Sequence, residues 1–242
     1  MKLIILLTLI ISTSAFSIPK TICGRSDDRV FSQNPKIARI LKSETGAAGC
    51  TATMISKSCA ITAGHCVDYL NVAEFETPKS RNGKIQHPST ENIYKFDTSS
   101  IQHIFKGYND WAIAKVLPNK ITGKLAGVVQ GYYEVSYEKP MLNEIINITG
   151  YGKDASQPTR NFAQQTHNGQ ITTISKKSLR LHYDVDTMGG NSGSSIILQS
   201  TGKIIGIHTR GGCSSRGGAN SGTLIFNNQK LIDAIKACLA TE

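Results

Sequence analysis

The sequence predicts an all-β protein that ends in one α-helix. Short runs rich in β-branched and aromatic residues recur between turn signals, and many alternate apolar and polar positions, as residues 179–183 do. Strands do not alternate with long helical segments, so a parallel sheet of βαβ units is not expected. The strands predicted from these runs are 50–55, 101–105, 111–116, 144–149, 170–174, 178–185, 194–198, 203–209 and 222–226.

The predicted helix covers residues 228–239. Either Asn227 or Asn228 can cap its first turn, because an asparagine side chain accepts a hydrogen bond from a free amide there. Apolar residues then recur at helical spacing and form one face that can dock on the strands, namely Leu231, Ile232, Ile235, Cys238 and Leu239.

The N-terminus carries the pattern of a secretory signal. Lys2 precedes an apolar run at 3–11, and small residues follow at 12–15. Since the run is too short to span a bilayer, the sequence predicts that residues 1–17 are removed and that the mature protein is secreted without stable membrane insertion. Six cysteines with no CxxC pair indicate disulfides rather than a metal site in such a chain.

The chain has 242 residues and a formal net charge of +10. Its densest basic stretch, residues 79–84, has no interleaved aromatic side chain and no nucleic-acid-binding motif around it. We interpret the charge as a source of solubility and the stretch as a solvated loop, with attraction to acidic substrates or anionic surfaces as the alternative. No nucleic-acid partner is expected.

A glycine-rich turn within residues 186–195 presents Ser192 as a candidate nucleophile. A serine hydroxyl attacks well only when a base lies beside it and donors lie where negative charge develops. Gly190 and Gly193 permit a tight turn that aims the amides of Gly190 and Ser192 at one point, so these two amides are the predicted oxyanion hole. Taken alone, a Gly-x-Ser-Gly string is more often a surface loop between strands.

Two upstream stretches supply partners for that serine. His65 follows a strand and is flanked by Cys66, and Asp110 precedes the apolar strand that begins at Trp111. His65 would take the proton of Ser192 as general base, and Asp110 would orient the imidazole. Either residue alone is commonly structural, but the chain order His, Asp, Ser favours a catalytic triad.

On these motifs, the chain resembles the chymotrypsin-fold serine proteases, and most of all the bacterial glutamyl endopeptidases. The resemblance rests on residues 26–29, 62–66, 148–151, 186–194, 206–209 and 222–225. It implies two six-stranded antiparallel β-barrels packed against each other, with the active site in the cleft between them. The implied first barrel covers residues 30–120, and the second covers residues 121–242 with the C-terminal helix.

The resemblance also bears on maturation. Trypsin carries an aspartate just before its nucleophile that pairs with the newly cut N-terminus, whereas this chain has Asn191, so activation through that ion pair is not expected. In glutamyl endopeptidases the mature N-terminal amine helps to hold the substrate carboxylate. Residues 18–29 are the implied N-terminal segment, and a cut after Lys20 would remove a short propeptide and expose Thr21 as a comparable terminus.

The residues implied to bind substrate indicate two specificities. His208 and Thr187 would hold the carboxylate of a glutamate before the scissile bond. Asp186 occupies the place where trypsin attracts lysine or arginine, and Gly211 and Gly222 would leave such a pocket open. Because two facing carboxylates are costly to bury unless one is protonated, the two specificities exclude each other if Asp186 points into the pocket. Some glutamyl endopeptidases carry Asp-Thr at this same place, so the resemblance also implies that the acid can turn away and be structural. Glutamate is the favoured specificity.

Two further residues have implied supporting roles. Thr209 would support Asp110, and Gly211 would offer backbone hydrogen bonds to an extended peptide. The expected protein is therefore a monomeric serine endopeptidase that acts on polypeptides and needs no cofactor and no metal. The alternative class is a catalytically inactive binding protein of the same fold, and the intact triad and glycine turn weigh against it.

Six cysteines allow fifteen pairings. The resemblance implies a bond between Cys50 and Cys66, which bracket His65. For the other four cysteines, our hypothesis is that Cys23 pairs with Cys213 and Cys59 with Cys238. The first bond would tie the N-terminal segment to the pocket rim, and the second would tie the final helix to the first barrel.

Overall fold

The computed structural model describes residues 21–242, so the predicted signal sequence and the residues up to Lys20 lie outside the described part. Its strands are β1 Val30–Phe31, β2 Ile37–Leu41, β3 Cys50–Met54, β4 Cys59–Thr62, β5 Val72–Glu74, β6 Ile93–Lys106, β7 Asn109–Val116, β8 Ile145–Gly150, β9 Gln165–Ser175, β10 Arg180–Tyr183, β11 Ser195–Leu198, β12 Lys203–Arg210 and β13 Asn220–Leu224. The helices are α1 Ala126–Gln130, α2 Gln229–Leu239 and two 3₁₀ segments, Gly64–Tyr69 and Thr90–Asn92.

The strands form two closed antiparallel barrels, which confirms the predicted fold class. The first barrel closes in the order β2-β3-β4-β7-β6-β5. In the second, β8 pairs with both β11 and β9, which closes the order β8-β9-β10-β13-β12-β11. Closure pairs the edge strands, so the backbone groups within each barrel are satisfied by neighbouring strands.

The short strand β1 joins the second barrel. Val30 pairs with Thr166 and Phe31 with Gln165, both on β9. The boundary implied from the sequence placed these residues in the first barrel, whereas the strands of that barrel begin at Ile37. The N-terminal segment therefore crosses the second barrel before the chain enters the first.

Strands β1, β2 and β5 and helix α1 have no counterpart among the predicted elements. β2 and β5 lie side by side in the first barrel, and every residue of both is buried. Continuous burial removes the polar and apolar alternation by which exposed strands are recognised, so these strands carry only a weak pattern. Helix α1 lies in the connection between the barrels and has five residues, too few to show a helical period.

The C-terminal helix packs on the first barrel although it follows the second in sequence. The side chain of Asn228 accepts a hydrogen bond from the amide of Leu231 and caps the helix at the predicted position. Leu231, Ile235 and Cys238 are buried in the same apolar core as the strands of the first barrel. The helix thereby covers one side of that barrel and fixes the chain end to it.

Three disulfides connect distant parts of the chain, and they are the pairs anticipated from the sequence. Cys50 and Cys66 join β3 to the 3₁₀ segment that contains His65, and Cys59 and Cys238 join β4 to α2. The third pair joins the N-terminal segment to the loop after β12, through Cys23 and Cys213. Among the described residues, no helix is both long and apolar enough to cross a membrane.

Candidate active site

Ser192 lies in the turn between β10 and β11, and two glycines shape that turn. Gly190 and Gly193 have φ values of +103° and +87°, a region that residues with a Cβ rarely adopt. A Cβ on Gly193 would overlap the Thr62 hydroxyl and the Thr51 carbonyl, and one on Gly190 would overlap the Tyr151 carbonyl. Glycine is therefore required at both positions by conformation and by close approach, of the first barrel at Gly193 and of the connection between β8 and β9 at Gly190.

Hydrogen bonds fix the turn to the first barrel. The amide of Thr51 donates to the carbonyl of Ser192 at 2.9 Å, and the Thr51 hydroxyl donates to the carbonyl of Gly190 at 2.9 Å. The Thr62 hydroxyl donates to the carbonyl of Thr51 at 2.7 Å, which joins β4 to the same contact. Since β4 leads into the 3₁₀ segment Gly64–Tyr69, these bonds place the serine turn beside the segment that carries His65.

His65 and Asp110 are held together by two hydrogen bonds. The Asp110 carboxylate accepts from the His65 main-chain amide at 2.9 Å and lies 2.7 Å from His65 Nδ1. The Asp110 side chain is 1% exposed and the His65 side chain 27% exposed. The carboxylate thus orients the ring from its buried side, holds a hydrogen on Nδ1, and leaves Nε2 as the nitrogen that can accept a proton.

Asp110 is itself positioned by a threonine from the second barrel. The Thr223 hydroxyl donates to the carbonyl of Asp110 or of Tyr108, each at 2.9 Å, and accepts from the Asp110 amide at 3.1 Å. The sequence indicated Thr209 for this supporting role. In the part of the chain that the structure describes, the Thr209 side chain makes no hydrogen bond to Asp110, so support comes from β13 rather than from β12.

The structure does not join Ser192 to His65 directly. Within residues 21–242, no hydrogen bond links the Ser192 hydroxyl to Nε2 of His65. Catalytic hydrogen bonds of this kind are often long in unliganded proteins and tighten when substrate binds. The geometry therefore brings together the base and its orienting carboxylate, and it places the nucleophile on the neighbouring turn.

The two amides predicted as an oxyanion hole have no hydrogen-bond acceptor among the described residues. The amides of Asn191, Gly193 and Ser194 donate to the carbonyls of Met188, His208 and Asn191, each at 2.9 Å. By contrast, the amides of Gly190 and Ser192 donate to no protein acceptor among the described residues. Two donors on alternate residues of one tight turn suit an oxygen atom that becomes negative during acyl transfer.

Asp186 does not line the pocket as a trypsin-like acid would. Its carboxylate is buried and accepts from the main-chain amides of Cys23 at 2.6 Å and Asp28 at 2.8 Å. The amide of Asp186 donates to His167 Nδ1 at 2.8 Å. Burial raises the pKa of the Asp186 carboxyl, although the two amides and His167 oppose the shift. The substrate-binding role predicted for Asp186 is therefore corrected, because the N-terminal segment occupies both carboxylate oxygens.

His208 is buried beside the serine turn and paired with a tyrosine that the sequence did not indicate. Nδ1 of His208 lies 2.6 Å from the Tyr183 hydroxyl, and the two residues are 3% and 0% exposed. Burial, with a smaller contribution from His65, lowers the pKa of His208 to about 3, so the imidazole is neutral at ordinary pH. Tyr183 precedes the glycine-rich turn directly, and its place at the end of an alternating strand was the only available signal.

Thr187 meets the N-terminal segment through a second residue that the sequence did not reveal, Asn220. The Asn220 side-chain amide donates its two hydrogens to the carbonyls of Thr21 and Val185, each at 2.7 Å, and its nitrogen lies 3.1 Å from the Thr187 hydroxyl. The amide of Thr187 also donates to the Thr21 carbonyl, at 3.1 Å. The first described residue of the chain is thereby anchored at Thr187, and Thr187 keeps its own hydroxyl hydrogen available.

The two glycines expected to open the pocket have different surroundings. Gly222 lies in β13 opposite His208, and a Cβ there would overlap the carbonyl of Ile207 and press on Ile196. Glycine is required there for packing inside the second barrel, and its place in the pocket stays a prediction. Gly211 follows β12, is exposed, and makes no backbone hydrogen bond to another described residue, so it remains open to an extended peptide.

This fold and this site define a chymotrypsin-fold protein with the elements of a serine protease, and comparison with known proteins agrees. The family model "Trypsin" matches residues 27–232. The chain belongs to the trypsin family.

Similar proteins include two bacterial glutamyl endopeptidases. The one from Bacillus licheniformis is 27% identical over 228 residues, which are 86% of this chain and 68% of the relative. The one from Staphylococcus epidermidis is 33% identical over 129 residues, which are 52% of this chain and 43% of the relative. The match to the Staphylococcus protein therefore spans less than half of that protein's length.

Solved structures support the same fold. A Glu endopeptidase in complex with MPD superposes with a TM-score of 0.68 at 21% identity and covers 90% of this chain and 100% of the other. Human heparin binding protein superposes with a TM-score of 0.63 at 15% identity and covers 87% and 96%. At such identities these likenesses concern the fold alone.

Proposed function

We propose that this chain is a secreted serine endopeptidase that cleaves peptide bonds after glutamate. The observation that carries the proposal is the buried Asp110 carboxylate fixing His65 beside a serine turn in which the amides of Gly190 and Ser192 donate to no acceptor among the described residues. A base, a nucleophile and donors for a developing negative charge are the parts that acyl transfer requires.

The proposed reaction runs through an acyl-enzyme. Ser192 Oγ forms a bond to the peptide carbonyl carbon while His65 Nε2 takes its proton, and the Asp110 carboxylate stabilises the imidazolium. The carbonyl oxygen becomes negative and is held by the amides of Gly190 and Ser192. Collapse of this intermediate breaks the C–N bond as His65 protonates the leaving amine. Water, activated by the same imidazole, then releases the acyl group and restores the Ser192 hydroxyl.

Specificity for glutamate is supported by the contacts of His208, Thr187 and Asp186. His208 lies next to the serine turn, where its main-chain carbonyl accepts from the amide of Gly193. The Thr187 hydroxyl donates to no acceptor within residues 21–242, which leaves its hydrogen for a substrate oxygen. Asp186, the one residue that favoured lysine or arginine, is engaged by the N-terminal segment. The pocket therefore offers neutral donors, which suit a carboxylate.

The N-terminal segment supports the proposed maturation. Thr21 lies against Thr187 and Asn220, and the disulfide between Cys23 and Cys213 fixes the same segment to the loop after β12. Removal of residues 1–17 and a cut after Lys20 would leave the new amine at this wall of the pocket. We include both cuts in the proposal, and N-terminal sequencing of the secreted protein tests them.

The proposed function is tested by digestion of an unbiased peptide library, with mass spectrometry of the products. Cleavage after glutamate, lost in Ser192→Ala, is the expected result. Cleavage after lysine or arginine would overturn the proposed specificity and leave the peptidase assignment intact. If neither the protein cut after Lys20 nor the uncut protein cleaves any peptide, the catalytically inactive binding protein becomes the better assignment.

A further inference from the structure

Tyr183 and His208 form a closed polar pair inside the second barrel. Their strands, β10 and β12, both pair with β13, and the two aromatic rings have centroids 6.0 Å apart. The Tyr183 oxygen lies 2.6 Å from His208 Nδ1, and both side chains are buried. Neither side chain makes another hydrogen bond within residues 21–242. Among these residues, each side chain is therefore the only hydrogen-bond partner of the other.

The burial of the pair decides which group donates. If His208 donated from Nδ1, the buried Tyr183 hydroxyl hydrogen would have no acceptor, which is costly in a barrel interior. If the phenol donates instead, its hydrogen is satisfied and Nδ1 uses its lone pair. A neutral imidazole that accepts on one nitrogen carries its hydrogen on the other. His208 then has an N–H at Nε2.

We propose that Tyr183 is a positioning residue that fixes His208 as a neutral imidazole with its hydrogen on Nε2, so that the pocket presents an N–H donor to an acceptor side chain of the substrate. This inference rests on the proposed function, because it takes His208 as the recognition residue. Burial agrees with it: the pKa of Tyr183 is raised well above its usual value and that of His208 is lowered. The phenol therefore keeps its proton, and the imidazole does not gain one.

The fixed donor has a definite consequence for selection. A glutamate carboxylate and a glutamine carbonyl can both accept from Nε2–H, whereas the donor groups of lysine and arginine cannot. Since a neutral imidazole adds no charge, Tyr183 and His208 distinguish acceptors from donors but not glutamate from glutamine. Loss of the phenol should weaken binding of both acceptor substrates by a similar factor.

The direct test is the tautomer of His208 in the intact protein. Nitrogen NMR of Ser192→Ala protein labelled with ¹⁵N-histidine distinguishes the two neutral forms, and the His208 signals are identified by their loss in His208→Gln. The expected result at pH 7 is a single neutral form protonated at Nε2. A form protonated at Nδ1, or a charged imidazole, would overturn the inference even if the enzyme cleaves after glutamate.

The variant Tyr183→Phe provides the second test. We expect a population protonated at Nδ1 to appear, because the phenol no longer holds that nitrogen as an acceptor. We also expect KM to rise about tenfold for both glutamate and glutamine peptides with kcat little changed, from the cost of an unsatisfied buried acceptor. Labelling of Ser192 by a small organophosphorus reagent, which does not use the pocket, should keep its wild-type rate.

A matched control is Tyr94→Phe in the first barrel. Tyr94 is 1% exposed and its hydroxyl has no hydrogen-bond partner among the described residues, so this change removes a buried phenol that positions nothing. It should leave the His208 tautomer and both KM values unchanged. Equal effects of the two variants, or a fall in kcat without a rise in KM for Tyr183→Phe, would contradict the positioning role. Cleavage after lysine by the wild-type protein would instead refute the proposed function and leave the tautomer result standing.

Discussion

Asp110 and Asp186 are buried to the same degree, each 1% exposed, yet they do different work. Asp110 faces the imidazole and the main-chain amide of His65 within the first barrel, and it can stabilise a proton that moves during a reaction. Asp186 faces two main-chain amides of the N-terminal segment, and it holds that segment in place. The residue type and the burial are the same, so the partner determines the role.

The two central histidines show the same contrast. The side chain of His65 is 27% exposed and lies against a carboxylate, an arrangement that stabilises the charged imidazolium when it forms. His208 is 3% exposed and lies against a phenol, an arrangement that opposes the charged form. The surroundings of His65 therefore suit proton transfer, whereas those of His208 keep its imidazole neutral.

The largest effect is expected for Asp110→Asn. An amide at this position cannot stabilise the imidazolium and favours the wrong tautomer of His65, so kcat should fall by about 10⁴. Steady-state kinetics on a glutamate peptide measure it. Asp68→Asn is the control, because Asp68 lies on the same 3₁₀ segment as His65 with 79% of its side chain exposed. A loss of less than tenfold in Asp110→Asn would show that this carboxylate is structural, as Asp186 is.

Asp186→Ala tests the other half of the contrast. Removing the buried carboxylate leaves the main-chain amides of Cys23 and Asp28 without their acceptor, and we expect the free energy of unfolding to fall by about 2 kcal/mol. Urea unfolding in a Ser192→Ala background, which avoids self-digestion, measures this loss. The residue preferred before the scissile bond should not change. A wild-type preference for lysine that disappears in the variant would restore Asp186 to the pocket.

Protonation of His208 gives a graded effect on stability. Its pKa is about 3 in the folded chain against 6.5 when unfolded, so between these values only the unfolded chain binds the proton. The contribution of His208 to stability is therefore complete above pH 6.5 and declines as the pH falls, by at most about 1.4 kcal/mol per unit. Urea unfolding of Ser192→Ala protein from pH 4 to 7 should show this slope, and His208→Gln should reduce it by about one proton. An unchanged slope would mean that His208 titrates normally in the fold.

The smallest effect is expected for Thr223→Val. The variant keeps the shape of the side chain but loses the hydroxyl that binds the main chain of Asp110 and Tyr108. We expect a loss in kcat of about tenfold or less with KM unchanged, since the carboxylate would be less firmly oriented. Thr172→Val, an exposed strand position, is the control. No change in kcat would mean that the bonds of His65 alone position Asp110.

Short-range motifs in the sequence predicted much of this site. The glycine turn around Ser192, the stretch ending at His65 and the acid before Trp111 carry their chemistry within a few residues, and the resemblance they support implied the two barrels. The C-terminal helix was predictable for a similar reason, because Asn228 and the apolar face after it form a local pattern.

Directions of side chains set by distant partners could not be predicted. Asp186 turns toward Cys23 and Asp28, which precede it by more than 150 residues, and nothing near Asp186 encodes that choice. Asn220, Thr223 and Tyr183 were missed because asparagine, threonine and tyrosine are ordinary strand or turn residues until the fold gives them partners. Local motifs in the sequence predicted the catalytic residue types, whereas the contacts that support them form only when the second barrel closes.

The proposed function depends most on the activation of Ser192 by His65 and Asp110. Reaction of the folded protein, processed to begin at Thr21, with an organophosphorus reagent measures this directly, with peptide mapping by mass spectrometry to locate the label. We predict one label per chain on Ser192, formed rapidly in wild type and much more slowly in Asp110→Asn. A folded protein that remains unlabelled, or one that labels equally fast in both forms, would contradict the catalytic assignment.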